Sequence, residues 1–353
     1  MKFLNISDIT AANVEISTNC NAACPLCPRN YNGYGVRDTF PLKDMSLDEF
    51  KTLMNPVLDN TPFLLSLCGT YGDAAANKQC VDILEYVNSK HPHVEIILSS
   101  NASMKTPNWW AKLAKITNLK IEFALDGLED THSIYRQNTS WHKVIENAGA
   151  FIQAGGYAIW QFIRFEHNKH QLEACKQLAT ELGFARFKHF DDNRSDAIAF
   201  TPAGKPFVLG KQPQSMMSVE EFVAQEKYLQ RQYKNNAQAE YERDLTVDTI
   251  ECYSQEGNIY IAVNGDIWPC CWLGGTFPMT SDTDNGWQIK KLPLILNGLE
   301  HSLEEIINSW NYISATWDTD EPLSTCVKTC GKCKDYSGMQ PTGINYEIND
   351  QRV

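Results

Sequence analysis

The sequence predicts an α/β fold in which a parallel sheet is covered by helices. Three observations lead to this prediction: apolar strand-like runs alternate with amphipathic helical stretches, the spacing is nearly constant, and the alternation stops near residue 190. Strands that alternate with helices form parallel sheets, because each helix carries the chain back to the same edge. The residues alone fit either an open sheet or an incomplete barrel.

The predicted elements follow from local periodicity. Strand-like runs lie at residues 13–18, 63–69, 94–100, 119–127, 157–165 and 184–190. Helical periods lie between them, at residues 46–58, 78–90, 107–116, 141–156 and 170–183. Ser46 and Glu49 have the spacing of a capping box, and Gly183 fits the end of a helix. In such a fold the chemistry belongs at the carboxyl ends of the strands. The polar or glycine residues at those ends are Cys20, Gly69, Ser100, Asp126 and Glu166.

Three segments are predicted along the chain. Residues 1–190 form the barrel-like or sheet domain, and residues 191–250 form a bridge that is first Pro/Gly-rich and then charged and helical. Residues 251–353 form a small α+β domain. It contains a hairpin over 258–272, which turns at an Asn-Gly pair, a helix over 302–313 and a cysteine-rich tail.

Composition excludes several classes of protein. A hydrophobic content of 43% with 21% charged residues is that of a globular protein. The net charge of −12 argues against broad binding to nucleic-acid phosphates. The N-terminus lacks the apolar core of a secretory signal, and no apolar run is long enough to span a membrane. A cytoplasmic protein without membrane or nucleic-acid partners is therefore expected.

Twelve cysteines are many for a chain without an export signal. Disulfides are rare in a reducing cytosol, so clustered cysteines there indicate metal ligands or catalytic groups. Nine of the cysteines form three groups: Cys20, Cys24 and Cys27; Cys252, Cys270 and Cys271; and Cys326, Cys330 and Cys333. The isolated cysteines, Cys68, Cys80 and Cys175, are expected to be ordinary buried residues.

The first group has the spacing C-x3-C-x2-C within "CNAACPLCPRN". Structural zinc requires four ligands, and no further Cys or His lies between residues 13 and 60. A 4Fe–4S cluster held by three cysteines instead leaves one iron open to an external ligand. The count of three thiols therefore favours an iron–sulfur cluster.

This loop resembles the cluster-binding loop of the radical S-adenosylmethionine (AdoMet) superfamily, with Leu26 at the usually apolar position. The resemblance implies a partial (β/α)6 TIM-like barrel, AdoMet and a 4Fe–4S cluster. In that family AdoMet binds the open iron, and its reductive cleavage gives a 5′-deoxyadenosyl radical that takes a hydrogen atom from the substrate. It also implies an electron donor such as flavodoxin or ferredoxin.

Other strand ends match the same family in order and place, so that the resemblance covers roughly residues 10–190. "CGTYGDA" (68–74) stands where the family has a Gly-Gly-Glu-like loop, although Gly72-Asp73 replaces Gly-Glu here. "LSSNA" (98–102) and "FALDG" (123–127) match two further strand ends. The implied cofactor contacts are Leu26, Gly69, Thr70, Gly72, Asp73, Ser100, Asn101 and Asp126.

Further polar residues near the strand ends are candidates for substrate or cofactor contacts. They are Asp126, Arg136, Arg164, Glu166, His167 and Asn168. Arg164 and Glu166 share one side of a strand by its period of two, and Arg164 is expected to pair with the AdoMet carboxylate or a substrate acid. A structural salt bridge or a helix cap would explain each residue equally simply. Tyr31, Tyr34 and Arg37 are expected to cover the cofactor.

The last two cysteine groups resemble the SPASM or twitch extension of radical AdoMet enzymes. Cys252, Gly265 and Cys270 give C-x12-G-x4-C, and "CVKTCGKC" spans 326–333. The resemblance implies a single auxiliary 4Fe–4S cluster held by Cys252, Cys270, Cys330 and Cys333, with Cys326 and then Cys271 as rivals for a place. Spacing alone allows a four-thiolate zinc site equally well. Trp268 and Trp272 flank the Cys270 pair and are expected to shield the site.

The sequence thus predicts a radical AdoMet oxidoreductase whose auxiliary cluster takes up an electron. A chain that begins almost at the first strand favours a small polyol- or sugar-like substrate, and radical modification of a peptide is the main competing hypothesis. Epimerisation would need a thiol hydrogen donor, for which Cys271, Cys326 and Cys68 are candidates. An RNA-modifying radical enzyme and a non-enzymatic iron–sulfur or zinc scaffold are two further hypotheses.

Overall fold

The computed structural model describes most of the chain. The described residues are 3–38, 40–67, 69–192, 198–209, 217–224, 247–274, 288–289, 291–319, 322–333 and 344–347. Cys68 and most of the helix predicted at the end of the bridge lie outside these residues.

Fifteen strands and nine α-helices of the described residues are labelled in chain order. The strands are β1 (Ala11–Val14), β2 (Asn30–Tyr31), β3 (Tyr34–Val36), β4 (Leu64–Leu67), β5 (Glu95–Ser100), β6 (Leu119–Ala124), β7 (Tyr157–Arg164), β8 (Arg186–Asp191), β9 (Ile198–Phe200), β10 (Pro206–Val208), β11 (Thr249–Ile250), β12 (Asn258–Ile261), β13 (Ile267–Trp268), β14 (Gly331–Lys332) and β15 (Ile344–Glu347). The helices are α1 (Leu47–Leu58), α2 (Cys80–Lys90), α3 (Pro107–Leu113), α4 (Glu129–Tyr135), α5 (Trp141–Gln153), α6 (Leu172–Leu182), α7 (Leu303–Ser309), α8 (Asn311–Ser314) and α9 (Ser324–Cys330).

The chain folds into two compact units. The first unit comprises Met1–Ile16, Met45–Leu65 and Ala224–Pro341, and the second comprises Ser17–Asp44, Ser66–Val223 and Thr342–Val353. Each unit is thus built from separated stretches of chain, whereas the domains predicted from the sequence are contiguous.

The second unit contains a parallel sheet flanked by helices. Strands β5, β6, β7 and β8 are neighbours in chain order and all run parallel, and β15 pairs antiparallel with β8. On one face, Phe123 of β6 contacts Trp110 of α3 and Phe151 of α5, and all three side chains are buried. Because side chains alternate along a strand, the opposite face carries a different set of residues. We call this opposite face of β5–β8 the inner face.

The first unit joins the N-terminal strand to the last third of the chain. Strand β12 runs parallel to β1, and β13 returns antiparallel to β12. The Tyr260 hydroxyl of β12 donates to the buried carboxylate of Glu15, 2.8 Å away. Strands β11 and β14 pair antiparallel, so that the segments entering Cys252 and leaving Cys330 run side by side.

The predicted alternation of strands and helices is present. All six strands and all five helices of the first 190 residues occur within a few residues of their predicted bounds. The capping box at Ser46 and Glu49 forms, and Gly183 ends α6 in a left-handed conformation at φ 84°. The predicted hairpin turns at Gly265, which has φ 93°. Helix α4 was not predicted, because its seven residues are too short to show a period.

Candidate functional site

The Cys loop, residues 20–30, is held in shape by its own backbone and by one buried arginine. The Cys27 amide donates to the carbonyl of Cys24 at 3.1 Å, which closes a turn between the two thiols. The Arg29 guanidinium donates to the carbonyl of Cys20 at 2.8 Å, and only 6% of this residue is exposed. The three predicted cluster ligands are therefore presented by one braced turn.

The three thiols lie in a desolvated environment. Burial, which disfavours the thiolate, raises the pKa of Cys20 and of Cys24, and it raises the pKa of Cys27 to about 11. The positive charges of Arg29 and Arg136 act in the opposite direction on Cys27. Metal binding here must displace thiol protons, and the two guanidinium groups supply charge that favours the thiolates.

Apolar side chains surround the loop. Cys24 and Ala22 are buried in a cluster with Tyr135, Phe165 and other apolar side chains, and Leu26 packs against the same cluster. Within the described residues, no three Cys, His, Asp or Glu side chains already have the geometry of a single metal-ion site. The donor set itself, three thiols on one loop in apolar surroundings with two cations beside them, fits an iron–sulfur cluster.

Asp73 is linked to the Cys loop through the end of β5. Only 3% of Asp73 is exposed, and its carboxylate accepts hydrogen bonds from the Ser100 hydroxyl, from both nitrogens of Asn101 and from the Ala75 amide, at 2.7 to 3.0 Å. Burial raises its pKa, while these donors lower it. The Asn101 side-chain amide also lies 3.4 Å from Cys20 Sγ. Asp73, Ser100 and Asn101 therefore form one network at the strand ends.

Two of the predicted glycines are required by close backbone packing. A Cβ atom on Gly72 would lie 1.8 Å from the carbonyl oxygen of Ser17, and one on Gly69 would lie 2.2 Å from the carbonyl oxygen of Gly72. A side chain at either glycine would therefore prevent the loop that carries Asp73 from packing as it does against the backbone just before the Cys loop. Thr70, between these glycines, is half-buried.

A second polar link joins the end of β6 to the Cys loop. Asp126 is fully buried, and its carboxylate accepts from Arg136 Nε at 2.6 Å and from the Ile163 amide at 2.6 Å. Arg136 Nη1 lies 3.9 Å from Cys24 Sγ. Burial alone would lower the pKa of Arg136, but the Asp126 carboxylate and Cys24 outweigh burial, so the pKa of Arg136 is raised above its ordinary value. Arg136 therefore stays charged beside a cluster thiol.

Arg164 and Glu166 do not join this network. Arg164 Nη2 binds the Asp191 carboxylate at 2.7 Å, and Glu166 binds Lys169 at 2.6 Å, both with about half-exposed side chains. Alternation along β7 places Arg164 on the helix-covered face rather than the inner face. The cation beside the Cys loop is Arg136 instead.

The other two candidates near the end of β7 have structural contacts. Asn168 is fully buried, accepts from the Phe165 amide at 2.7 Å and donates to the carbonyl of Ile163 at 2.9 Å. The His167 ring stacks on Phe165, with the centroids 5.3 Å apart. Burial lowers the pKa of His167 to about 4, so the ring is neutral at pH 7.

A hairpin from the predicted bridge covers the Cys loop. Asn32, in the turn after the loop, donates to the carbonyl of Ile198 and accepts from the Phe200 amide, both at 2.7 Å. Ala199 and Leu209 are buried in the apolar cluster around Cys24. The β9–β10 hairpin thus belongs to the surroundings of the site. The apolar pairs Ala199-Phe200 and Phe207-Val208 are the sequence signal from which this hairpin could have been predicted.

The residues after the Cys loop form a small hairpin of their own, β2–β3. The Arg37 guanidinium lies 4.9 Å from the centre of the Tyr31 ring and donates to the Pro28 carbonyl at 3.0 Å. Tyr31 is buried, whereas Tyr34 is 41% exposed. Arg37 and Tyr31 therefore brace the far side of the loop.

Four cysteines from the last two groups line one cavity in the first unit. They are Cys252, Cys270, Cys326 and Cys330, and the other lining residues are mainly apolar or aromatic, including Trp272 and Trp317. The thiols of Cys252 and Cys330 are hydrogen-bonded to each other, which raises the pKa of Cys252 and lowers that of Cys330. Burial raises the pKa of Cys270 to about 12. Four thiols in one apolar cavity match the ligand count of a second iron–sulfur cluster or of zinc, although the described thiols do not stand in the geometry of a single-ion site.

The cavity includes Cys326, the main rival for a ligand place, and its lining residues do not include Cys333. Cys333 is half-buried and follows β14, whose backbone pairs with β11. Cys271 is half-buried next to Cys270. Trp268 is buried, and Trp272 reaches the cavity while remaining 43% exposed.

Comparison with known proteins identifies the barrel part of the chain. Residues 14–163 match the radical SAM superfamily. This part of the chain belongs to that superfamily. Members of this superfamily bind AdoMet and a 4Fe–4S cluster, as the resemblance of the Cys loop implied. No curated protein matches the chain.

Solved structures show the same fold at low sequence identity. Streptococcus suis SuiB bound to S-adenosylmethionine is 14% identical with a TM-score of 0.55, and the match covers 86% of this chain and 65% of SuiB. AdoMet-bound anSMEcpe is 12% identical with a TM-score of 0.53, and the match covers 93% of this chain and 92% of anSMEcpe. The predicted fold class, a partial TIM-like barrel with a small extra domain, is confirmed. In the described part of the chain, no helix has both the length and the apolar character needed to cross a membrane.

Proposed function

We propose that this chain is a radical AdoMet oxidoreductase that oxidises a small polyol- or sugar-like substrate. The observation that carries the radical AdoMet part of the proposal is the Cys loop, where one buried and two half-buried thiols stand beside Arg136 and Asn101. When bound, the cluster and AdoMet supply a 5′-deoxyadenosyl radical that removes a hydrogen atom from a substrate C–H bond.

The residues around the loop have separate roles in this proposal. Cys20, Cys24 and Cys27 hold the cluster. Asp73, fixed by the end of β5, offers a carboxylate to the cationic amino group of AdoMet. Arg136, fixed by a buried carboxylate, offers a guanidinium to the AdoMet carboxylate, the role first expected of Arg164.

The cavity of the first unit holds the auxiliary 4Fe–4S cluster in this proposal. Its ligands are Cys252, Cys270, Cys330 and a fourth thiol, for which Cys326 has the better position. A cluster with four thiolates has no open iron, so electron transfer is the role that fits it. Oxidation of an alcohol to a carbonyl would then remove a hydrogen atom to the 5′-deoxyadenosyl radical, one electron to this site and the hydroxyl proton to solvent. A flavodoxin or ferredoxin would supply the electron that cleaves AdoMet.

Radical modification of a peptide is the second candidate function. It is favoured by two similar structures, SuiB bound to its precursor peptide SuiA, with a TM-score of 0.52, and anSMEcpe bound to the Cp18Cys peptide, also at 0.52. In a peptide epimerase Cys271 or Cys326 would be the hydrogen donor. Cys326 can donate hydrogen only if Cys333 is the fourth cluster ligand, because a thiolate bound to the cluster has no hydrogen to give.

Single replacements of the Cys loop test the proposal. Cys20→Ala, Cys24→Ala and Cys27→Ala should each abolish 5′-deoxyadenosine formation from AdoMet and dithionite under anaerobic conditions. Cys175→Ala is the matched control, because Cys175 is a buried thiol of α6 with no part in the site, and it should keep the activity. Undiminished cleavage in the three loop variants would overturn the proposal.

A further inference from the structure

The inner face carries a polar set that is separate from every candidate residue considered so far. Ser99 of β5, Glu122 of β6 and Lys188 of β8 all lie on it. The Ser99 hydroxyl donates to Glu122 Oε2 at 2.7 Å, and Lys188 Nζ donates to Glu122 Oε1 at 3.0 Å. The Glu122 side chain is 8% exposed and that of Lys188 is 25% exposed. We call these three residues the inner triad.

The triad lies just below the level of the Cys loop. Gln161 of β7 is in register with Lys188 of β8, and Ile163 is the next inner-face residue along β7. Ile163 packs against the apolar cluster that contains Cys24. Two residues of a strand span about 7 Å, so the triad is within one small molecule's length of the Cys loop.

We infer that the inner triad is the binding site for a neutral substrate with adjacent hydroxyl groups; this rests on, and sharpens, the proposed function. The carboxylate and ammonium already neutralise each other, so a charged ligand would leave one buried charge unbalanced. A hydroxyl group brings no net charge and both donates and accepts.

The spacing of the pair favours a diol over a peptide. Glu122 Oε1 and Lys188 Nζ are 3.0 Å apart, and two adjacent hydroxyl oxygens stand about one hydrogen-bond length apart. One hydroxyl can donate to Glu122 while its neighbour accepts from Lys188. The N–H and C=O groups of a trans peptide unit point in opposite directions, so a single unit cannot contact both partners in this way.

The chain offers a matched control pair on the same face. Lys120 Nζ binds Glu95 Oε1 at 2.8 Å, with side chains 32% and 47% exposed. Lys120 lies two residues before Glu122 on β6, towards the amino ends of the strands and away from the Cys loop. Lys120→Met therefore removes an inner-face ion pair without touching the triad.

Ligand binding is measured as the shift in melting temperature of anaerobically reconstituted protein with AdoMet. The probes are glycerol, myo-inositol and a panel of monosaccharides, beside serine- and cysteine-containing peptides. At least one polyol should raise the melting temperature of the wild type and of Lys120→Met. Glu122→Gln and Lys188→Met should weaken that binding by at least tenfold, and the milder Ser99→Ala should weaken it less.

Three outcomes would overturn the inference: no polyol binds the wild type, peptides bind while polyols do not, or Lys120→Met weakens binding as much as Glu122→Gln. If the charge variants fold poorly, Ser99→Ala still decides, because it removes one hydroxyl and no charge. 5′-Deoxyadenosine formation is assayed on the same preparations. Its absence in the wild type would refute the radical chemistry of the proposed function. Cleavage without polyol binding would refute this inference and the polyol substrate, and it would leave the radical chemistry standing.

Discussion

The two cysteine sites differ in the side chains that surround their thiols, which are partly cationic at one site and mainly apolar at the other. The Cys loop presents three thiols with guanidinium groups nearby, those of Arg29 and Arg136. The cavity of the first unit presents four thiols among aromatic and aliphatic side chains. A cluster bound by the first set of thiols would keep one iron open beside compensating positive charge, which suits binding of an external ligand. A cluster bound by the second set would have no open iron and would lie among apolar side chains, which suits electron transfer.

The largest expected effect separates the sites by function. Cys24→Ala should remove 5′-deoxyadenosine formation completely, whereas Cys252→Ala combined with Cys270→Ala should leave it in place and remove about half of the iron. Iron and sulfide per chain, measured with the anaerobic cleavage assay, give both quantities. Unchanged iron in the double variant would contradict the comparison, because the cavity would then hold zinc or no metal instead of a cluster.

A second prediction sharpens the ligand set of the cavity. Because Cys326 lines the cavity with Cys252, Cys270 and Cys330, Cys326→Ala should lose the auxiliary iron. Cys333→Ala should keep most of it. Each variant is compared by iron content and by its electron paramagnetic resonance signal. The reverse pattern would show that Cys330 and Cys333, the C-x2-C pair, are both ligands and that Cys333 moves to the cavity when the cluster binds.

A third prediction concerns the apolar cover of each site. Leu209 is buried beside the Cys loop and Leu273 lines the other cavity. Replacing either leucine with Ala should cost about 2–5 kcal/mol of folding free energy and open a path for water. Leu209→Ala should speed the bleaching in air of the loop cluster only, and Leu273→Ala that of the auxiliary cluster only. Equal bleaching of both clusters in both variants would contradict this.

The smallest predicted effect is the pH dependence of the metal-free protein. Burial raises the folded pKa of Cys27 from 9.0 to about 11 and that of Cys270 from 9.0 to about 12. The stability from these neutral thiols is fully present below pH 9 and is lost as the pH rises towards the folded values. Each thiol should contribute a decline of about 1.4 kcal/mol per pH unit in that window.

Urea unfolding of the metal-free protein at pH 8 to 10.5 measures this decline. Cys27→Ala and Cys270→Ala should each flatten it, and protein that carries its clusters should show little of it, because bound thiolates have no proton to lose. An equal slope in the metal-free wild type and in both variants would argue against buried neutral thiols.

Local patterns in the sequence predicted much of the fold and the centre of the site. Strand and helix periods repeat within a few residues, and the spacing of Cys20, Cys24 and Cys27 is itself local. The pairing of β12 with β1 joins segments more than two hundred residues apart, so no local signal carries it. The β9–β10 hairpin over the Cys loop is likewise a long-range contact.

The choice between the two arginines shows a different limit. Arg164 stands at the end of a predicted strand, but its side of β7 was not known from the sequence. Arg136 follows a short helix that has no visible period, and only the buried contact with Asp126 shows where its guanidinium lies. The inner triad was missed for the same reason, although polar residues at alternate positions of apolar strands were the signal that could have revealed it.

The most direct test of the central claim uses the Cys252→Ala, Cys270→Ala double variant, which should hold only the loop cluster. Its reduced form is examined by electron paramagnetic resonance with and without AdoMet. A cluster held by three cysteines has one open iron, so AdoMet should change the spectrum, and the change should vanish in a further Cys24→Ala variant. A spectrum that AdoMet leaves unaltered would contradict the assignment of the Cys loop.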